Sequence, residues 1–217
     1  KLQAIGARSI NNIVDITNFI LHETGQPLHA FDAAKIHGKK VVVKKCAPNS
    51  LFTTLDEKER KLSAEDLMIC DIEKPMCIAG VFGGLHSGVS ATTNRIFLES
   101  AWFENVHIRK TSVFHGLRTD AATRFEKGVD IANTVKVLEK AAAMIQEIAG
   151  GKCSQVVDVY PNPAEKVKVA MTFAYLKKLS GKQYASDKAV AILTSLGFEI
   201  LHQDAESIQV AVPYNKP

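Results

Sequence analysis

The sequence predicts an α+β protein, in which a β-rich sheet core is flanked by helices and followed by a small α+β domain. Short apolar runs typical of strands fill the stretch 39–101. Helical periodicity appears on both sides of that stretch. A segment with two prolines at 160–163 disfavours both helix and sheet. We therefore place one domain at 1–160 and a second at 161–217.

Composition bounds the class of protein. Of the 217 residues, 46% are hydrophobic and 23% are charged, as in ordinary globular proteins, which argues against disorder. The net charge of +4 is compatible with a polyanionic partner but is too small to indicate nucleic-acid binding alone. No apolar run approaches the roughly 20 residues that span a bilayer, so no membrane partner is predicted.

The four cysteines and the first residue place the chain in its context. The cysteines form no C-x-x-C pair, so neither a zinc knuckle nor a disulfide framework is predicted. Scattered thiols fit a reducing compartment, and we expect a cytoplasmic protein. The chain begins without Met, and we expect it to be a piece of something longer.

The first predicted element is a helix that runs to about Thr24. Ser9 is its candidate N-cap, and Gly25 offers a stop. Thr17 lies within its apolar stripe, where a threonine either bonds back to the helix or faces a site. The stripe consists of Ile10, Ile13, Val14, Ile20 and Leu21.

Five strand-like runs follow, and some are separated by turn-like polar clusters, as in a mainly antiparallel sheet system. They are Val41 to Val43, Leu51 to Leu55, Leu67 to Cys70, Cys77 to Phe82 and Ile96 to Ala101.

Helical signals then return. Asn105 is a candidate cap, a short helix follows Thr119, and a long helix runs from about Asp130 to Ala149, ended by Gly150. The predicted buried stripe of the long helix is Val135, Leu138, Ala142, Ile145 and Ile148.

The second domain has its own mixture of patterns, with a strand at 167–171 and helices at 174–179 and 186–196. The runs 198–201 and 208–212 could form a hairpin. So small a unit buries only a marginal core.

Glu99 is the most informative single residue. The two-residue period of a strand places it on the same face as Phe97 and Ala101. A carboxylate in an apolar setting must be paired, protonated or reserved for a ligand. From the residues alone, an ion pair with an arginine is an equally good interpretation.

His29 and the glycine-rich run 79–84 are further candidates. His29 follows a stiff loop and shares its region with Thr17 and Asn18, so it could bind a phosphate or sugar hydroxyl or orient a water. A purely structural histidine is the alternative. The run 79–84 would let a ligand approach the backbone, although the residues alone favour a tight turn.

Thr119 can cap the helix that follows it, with Arg118, Arg124 and Lys127 around the same turn. A helix N-terminus with nearby cations suits phosphate, while the alternative is a well-capped solvated helix. No serine or cysteine lies in a nucleophile elbow, so water is the expected attacker in any hydrolysis. No metal site is predicted.

Five stretches of sequence carry a family resemblance. Ser9 to Asn18 and Gly25 to Asp32 resemble the opening of the editing domain in bacterial phenylalanyl-tRNA synthetase β subunits. Ala79 to Gly84, Leu98 to Ala101 and His115 to Asp130 match later blocks in the same order. Residues after about Lys166 are similar to the small domain that follows, with weaker motifs.

The resemblance implies that 1–160 is a tRNA-editing domain that hydrolyses tyrosine mistakenly attached to tRNA(Phe). It implies that Glu99 accepts a hydrogen bond from the tyrosine phenol, helped by backbone around Gly83, and that Ala79 and Gly80 border the amino-acid side chain. His29 or Thr119 would orient the attacking water. The residues around the ester and terminal adenosine would be Thr17, Asn18, His29, Thr119 and Ala121.

The resemblance also implies partners. The α subunit, in an αβ heterotetramer, and tRNA(Phe) are expected, with Arg118, Arg124 and Lys127 as tRNA contacts. ATP and Mg²⁺ would serve the whole enzyme, with no cofactor in this segment, because the family's metal-binding acidic residues lie in a stretch that would begin after Pro217. The alternative is a non-catalytic tRNA-binding or subunit-assembly module of the same enzyme.

Overall fold

The computed structural model describes residues 1–216. The chain divides into two compact units, Lys1–Val157 and Asp158–Pro217. Each unit combines helices with antiparallel strands, so the predicted α+β class is confirmed. Within residues 1–216, no helix has the length and apolar character needed to cross a membrane.

The strands of the first unit form three antiparallel groups: a β1–β8 ribbon, a four-stranded sheet in the order β2-β5-β6-β7, and a β3–β4 hairpin. Their bounds are β1 (Leu28–Asp32), β2 (Val42–Lys45), β3 (Leu51–Thr53), β4 (Glu59–Lys61), β5 (Leu67–Cys70), β6 (Pro75–Ile78), β7 (Phe82–Gly83) and β8 (Ile96–Ser100).

Four α-helices and four short 3-10 helices complete this unit. The α-helices are α1 (Asn12–Thr24), α2 (Asn105–His115), α3 (Asp120–Glu126) and α4 (Thr134–Ala149). The 3-10 helices are Gln3–Ile5, Ala33–Lys35, His37–Lys39 and Ile131–Asn133.

Two predicted N-caps are wrong. The cap of α1 is Asn11, because the helix begins later than predicted and the Ser9 hydroxyl instead donates to the Asp15 carboxylate. The cap of α2 is Glu104, so Asn105 is the first helical residue. The Glu104 carboxylate accepts hydrogen bonds from two backbone amides of the first turn and also complements the helix dipole.

Three other predicted helix ends are confirmed, while α4 begins at Thr134 and not at about Asp130, because the 3-10 helix Ile131–Asn133 precedes it. Gly25 ends α1 with a φ of 78°, a left-handed conformation that favours glycine. Thr119 caps α3, and its side chain accepts a hydrogen bond from the Ala122 amide. Gly150 ends α4.

The β1–β8 ribbon separates two cores. One face carries Leu28 and Leu98, which pack against buried side chains of α1 and α4. The other face carries Phe31, which belongs to the main core with the four-stranded sheet, α2 and α3. Side chains that alternate along β1 and β8 therefore enter different environments.

The predicted helix stripes need correction. Ile10 precedes α1 and is 66% exposed. In α4 the fully buried residues are Val137 and Ala141, and Ile148 is exposed. The face of α4 that packs on α1 and β8 is thus rotated from the predicted one and consists of Val137, Ala141, Met144 and Ile145, of which only Ile145 was predicted.

The strand predictions missed two elements and merged two others. β1 contains a histidine and an aspartate, and β4 is entirely charged, so neither resembles an apolar run. The predicted run Cys77 to Phe82 is broken into β6 and β7 by a tight turn, in which Gly80 has a φ of 67°.

The second unit is a three-stranded antiparallel sheet in the order β10-β11-β9 with two helices. The predicted hairpin is present as β10 and β11. Among the described residues of the second unit, the fully buried apolar residues are Ala189, Ile208, Val210 and Ala211. The elements are β9 (Lys168–Thr172), α5 (Phe173–Ser180), α6 (Ser186–Ser195), β10 (Glu199–Gln203) and β11 (Ser207–Ala211).

Candidate functional site

His29 and Glu99 face each other across the β1–β8 ribbon. They are direct partners in the antiparallel register. Direct cross-strand partners point to the same side of a sheet, with Cβ atoms about 5 Å apart. This side is the one that carries Phe31, whose ring meets the His29 imidazole edge-on at a centroid distance of 4.4 Å. The pair therefore lies on the face directed at the main core.

Both side chains have a polar atom without a partner. His29 Nε2 and Glu99 Oε2 are buried and make no hydrogen bond among residues 1–216. The third such atom is Gln26 Oε1, in the loop that leads into β1. Native proteins pair the large majority of buried polar atoms, because an unpaired one costs about 1 to 3 kcal/mol. Two exceptions on facing residues indicate a place prepared for a ligand.

Burial shifts the pKa values of His29 and Glu99 in opposite directions. It lowers the pKa of His29 to about 4 and raises the pKa of Glu99 to about 8. At neutral pH both are therefore mainly uncharged. No cation forms a salt bridge with Glu99 in the described part of the chain, so the ion-pair interpretation of this residue does not hold. A neutral carboxyl group can both donate and accept a hydrogen bond.

Gly83 leaves room beside His29. A Cβ atom there would lie 3.0 Å from His29 Cε1 and 2.8 Å from Leu55 Cδ1, so no side chain fits without a shift. The strand partner of Gly83 is Cys77, which is buried. Burial, and then the charge of Glu99, raise the pKa of the Cys77 thiol. Gly83 and Cys77 thus lie close to the His29–Glu99 pair.

The turn between β6 and β7 connects this pair with Thr119. The Thr119 hydroxyl donates to the Val81 carbonyl oxygen at 2.8 Å and accepts from the Ala122 amide at 3.0 Å. Ala79 and Gly80 lie in the same turn, and a Cβ at Gly80 would lie 2.8 Å from side-chain atoms of Phe103 and Ile108. A hydroxyl with both bonds made retains one free lone pair.

The remaining candidates lie on helices. The Thr17 hydroxyl bonds back to the Val14 carbonyl oxygen at 2.9 Å. Asn18 is half-buried on the same helix, and within residues 1–216 neither residue makes a side-chain hydrogen bond to the other candidates. Ala121 is half-buried in the first turn of α3, directly after the Thr119 cap.

The three predicted tRNA contacts are available to a ligand. Arg118 and Lys127 are exposed, and Arg124 is half-buried. None of them forms a salt bridge with any residue that the structure describes. All three lie in α3 or adjoin it.

Sequence reasoning missed a second histidine–carboxyl pair. His115 Nε2 lies 2.7 Å from Asp66 Oδ2, and their side chains are only 4% and 1% exposed. Arg60 donates to the backbone carbonyl oxygen of His115 at 3.1 Å. These partners are far apart in the chain, so no local pattern could have revealed them.

Sequence analysis also missed Gln26, whose Oε1 is buried without a partner among the described residues. A glutamine beside apolar loop residues was a usable signal.

Comparison with known proteins places the chain in a family. Residues 1–150 match the model of the B3/4 domain, so the chain belongs to that family. Its relatives include the phenylalanine–tRNA ligase β subunit of Bacteroides fragilis strain YCH46, 49% identical over 98% of this chain. Those of Porphyromonas gingivalis and Bdellovibrio bacteriovorus are 49% and 44% identical over the same share. The predicted resemblance to this β subunit is confirmed.

The chain matches only a part of the length of these relatives. The chain covers 26% of the length of each of these three β subunits. A crystal structure of an N-terminal fragment of the phenylalanyl-tRNA synthetase β subunit from Pyrococcus horikoshii is 13% identical, with a TM-score of 0.43, over 94% of this chain and 60% of that one. That likeness is too distant to support an argument about the site.

Proposed function

We propose that this chain is the proofreading segment of a phenylalanine–tRNA ligase β subunit and that it hydrolyses tyrosyl-tRNA(Phe). The ester bond to the terminal adenosine would be cleaved by water. The observation that carries the proposal is the Glu99 carboxyl group, which is buried without a partner for Oε2 and faces an equally unpartnered His29.

The need for such a step follows from the chemistry of the two amino acids. Tyrosine differs from phenylalanine only by a hydroxyl group. An apolar pocket cannot strongly reject an analogue that merely adds a hydroxyl, and discrimination in comparable cases is roughly a hundredfold. A second site that requires the hydroxyl would correct the error, because a site built to hydrogen-bond a group strongly rejects the analogue that lacks it.

Glu99 is the proposed detector of that hydroxyl. A phenol can donate to its carboxyl group or accept from it, whereas a phenyl ring leaves Oε2 without a partner. The difference is on the order of 1 to 3 kcal/mol, or about ten- to a hundredfold in rate. Backbone around Gly83 would assist, and Ala79 and Gly80 would border the substrate side chain.

The ester would lie near the side chains that the resemblance assigns to it: Thr17, Asn18, His29, Thr119 and Ala121. Of the two candidates for orienting the water, His29 has the freer polar atom, since Nε2 has no partner while the Thr119 hydroxyl already makes two hydrogen bonds. The low pKa of His29 keeps Nε2 available as an acceptor at neutral pH, provided that Nδ1 carries the proton.

The proposal extends to the whole enzyme. Arg118, Arg124 and Lys127 would contact the tRNA backbone, since all three lack salt-bridge partners among the described residues. An α subunit would complete an αβ heterotetramer in the cytoplasm, and ATP and Mg²⁺ would serve aminoacylation there. No cofactor is proposed for this segment.

The test uses the complete enzyme with tyrosyl-tRNA(Phe) and phenylalanyl-tRNA(Phe). We expect Glu99→Ala to slow tyrosyl-ester hydrolysis about ten- to a hundredfold, and Glu99→Gln to slow it less because the amide oxygen still accepts. His29→Ala should also slow it. The matched control is Glu139→Gln, which changes an exposed glutamate of α4 and should have no effect.

The same experiment decides against the alternative. In a non-catalytic tRNA-binding or assembly module, the Glu99 and His29 variants would deacylate tyrosyl-tRNA(Phe) at the wild-type rate. That result would remove the editing role while leaving the basic residues of α3 as tRNA contacts.

A further inference from the structure

We propose that Leu55 is the side chain that keeps water away from the His29–Glu99 pair, and that it thereby sets how strictly the site selects a phenol-bearing ester. The effect on selection rests on the proposed function. The exclusion of water does not, because it is a property of the chain without substrate.

The backbone holds Leu55 beside β7. Leu55 lies in the turn between β3 and β4, two residues after the end of β3, and its amide donates to the Gly83 carbonyl oxygen at 3.0 Å. The neighbouring residue Thr54 forms a bridge with Gly84, and the Leu85 amide donates to Thr53 at 3.1 Å. The hairpin tip is therefore fastened along β7 and cannot place Leu55 freely.

The Leu55 side chain and the His29 ring both lie beside Gly83. Leu55 Cδ1 and His29 Cε1 lie 2.8 and 3.0 Å from the position that a Cβ of Gly83 would occupy. The methyl group and the ring carbon are therefore no more than 5.8 Å apart, the sum of these two distances. Leu55 Cδ2 lies 3.6 Å from the corresponding position at Gly88. Gly83 thus leaves room for the leucine beside the imidazole, whereas a Cβ at Gly88 would only be in ordinary van der Waals contact with it.

Leu55 also borders solvent, since 46% of it is exposed. His29 Nε2 lies 3.4 Å from the same Cβ position of Gly83, and both this atom and Glu99 Oε2 are inaccessible to solvent. A half-exposed leucine at a hairpin tip gains little from its own burial, but here its methyl groups shield a polar pair that water would otherwise reach. Burial is the first cause of the shifted pKa of both groups, so both should respond to the loss of this cover.

The test follows the titration of His29 by NMR in the 217-residue chain with ¹³C-labelled histidine. In the wild type we expect His29 to stay neutral down to about pH 5, consistent with a pKa near 4. In Leu55→Ala the midpoint should rise by roughly 0.5 to 1 unit towards the ordinary value of about 6.5. His29→Gln identifies the signal.

The matched control is Leu51→Ala, which truncates a leucine of the same hairpin that is 56% exposed and lies at its other end. An unchanged midpoint in Leu55→Ala, or an equal rise in Leu51→Ala, would overturn the proposal, since the second result would mean that the hairpin had merely loosened. If Leu55→Ala does not fold, Leu55→Val should give a smaller rise of the same sign.

A second measurement tests selection in the complete enzyme. The ratio of tyrosyl- to phenylalanyl-tRNA(Phe) hydrolysis should fall about threefold to tenfold in Leu55→Ala, because solvated groups no longer penalise a missing phenol. An unchanged ratio would refute the role in selection. If the wild-type enzyme deacylates neither ester, the proposed function fails, while the NMR titration still decides whether Leu55 excludes water.

Discussion

The first unit contains two buried histidine–carboxyl pairs, and they differ in one respect. His115 and Asp66 are bonded to each other at 2.7 Å. Asp66 also accepts from the Thr111 hydroxyl at 3.1 Å and from the Ser63 amide at 2.8 Å. His29 and Glu99 face each other across two strands, yet each keeps a buried polar atom without a partner.

The difference separates a structural pair from a pair suited to a ligand. The Asp66 carboxylate has partners for both oxygens, so it contributes to stability by holding the end of α2 to the loop before β5. Glu99 makes no such contribution to stability, because no hydrogen bond to Oε2 offsets the cost of removing its carboxyl group from water. Both pairs combine a histidine with a carboxyl group, but the side chains of His115 and Asp66 are almost fully buried, whereas His29 and Glu99 are half-buried with inaccessible polar atoms. The hydrogen bonds of the two pairs are the basis for the roles proposed for them.

The largest expected effect on stability comes from breaking the His115–Asp66 pair. Asp66→Ala should lower the free energy of unfolding by roughly 3 to 5 kcal/mol, because it leaves His115 Nε2, the Thr111 hydroxyl and the Ser63 amide without their acceptor. Urea denaturation followed by the fluorescence of Trp102, the single tryptophan, measures it.

Glu99→Gln removes the ionisable group of the other pair and keeps the size of the side chain. It should leave the free energy of unfolding within about 1 kcal/mol of the wild type at pH 7 or raise it, since no hydrogen bond to Oε2 is lost. Equal losses in the two variants would mean that Glu99 is a structural residue and that the comparison fails.

The free energy of unfolding should also depend on pH, through the His29–Glu99 pair. The pKa of Glu99 is raised to about 8 in the folded chain, so the folded state binds more protons than the unfolded state and its stability falls as pH rises towards 8. The pKa of His29 is lowered to about 4, so its contribution falls as pH drops below about 6.5. Above pH 6.5 only the Glu99 effect remains.

From pH 6.5 to 8 we therefore expect the free energy of unfolding to decrease by about 2 kcal/mol. Denaturation curves at both pH values measure the decrease. Glu99→Gln cannot titrate and should abolish it, whereas Glu139→Gln should retain it. A flat profile in the wild type would show that water or a cation reaches the Glu99 carboxyl group.

Local signals predicted part of this architecture. Gly25 and Thr119 act within a few residues of themselves, and both helix ends were predicted from them. The predicted caps of α1 and α2 were wrong because several polar residues compete at each helix start, and Asn11 and Glu104 accept the hydrogen bonds of the first turns. The charged strand β4 was missed because its hairpin partner and not its own pattern makes it a strand.

The candidate site divides in the same way. Periodicity placed Glu99 on an apolar face, and both the stiff loop before His29 and the resemblance singled out that histidine. Neither could show that the two residues are register partners across the ribbon. The approach of Leu55 to Gly83 and the partnership of His115 with Asp66 depend on strand pairing over long stretches of chain. No period in the sequence encodes such contacts.

The smallest expected effect concerns Thr119, whose hydroxyl makes two hydrogen bonds and so belongs with the satisfied groups. Thr119→Ala should lower the free energy of unfolding by about 1 kcal/mol, through loss of the cap of α3, and Thr119→Ser should restore most of it. Thr123→Ala, which removes a hydroxyl that bonds only back to its own helix, is the control and should cost less. If Thr119→Ala costs nothing, the hydroxyl is not held by the cap and is free to orient a water.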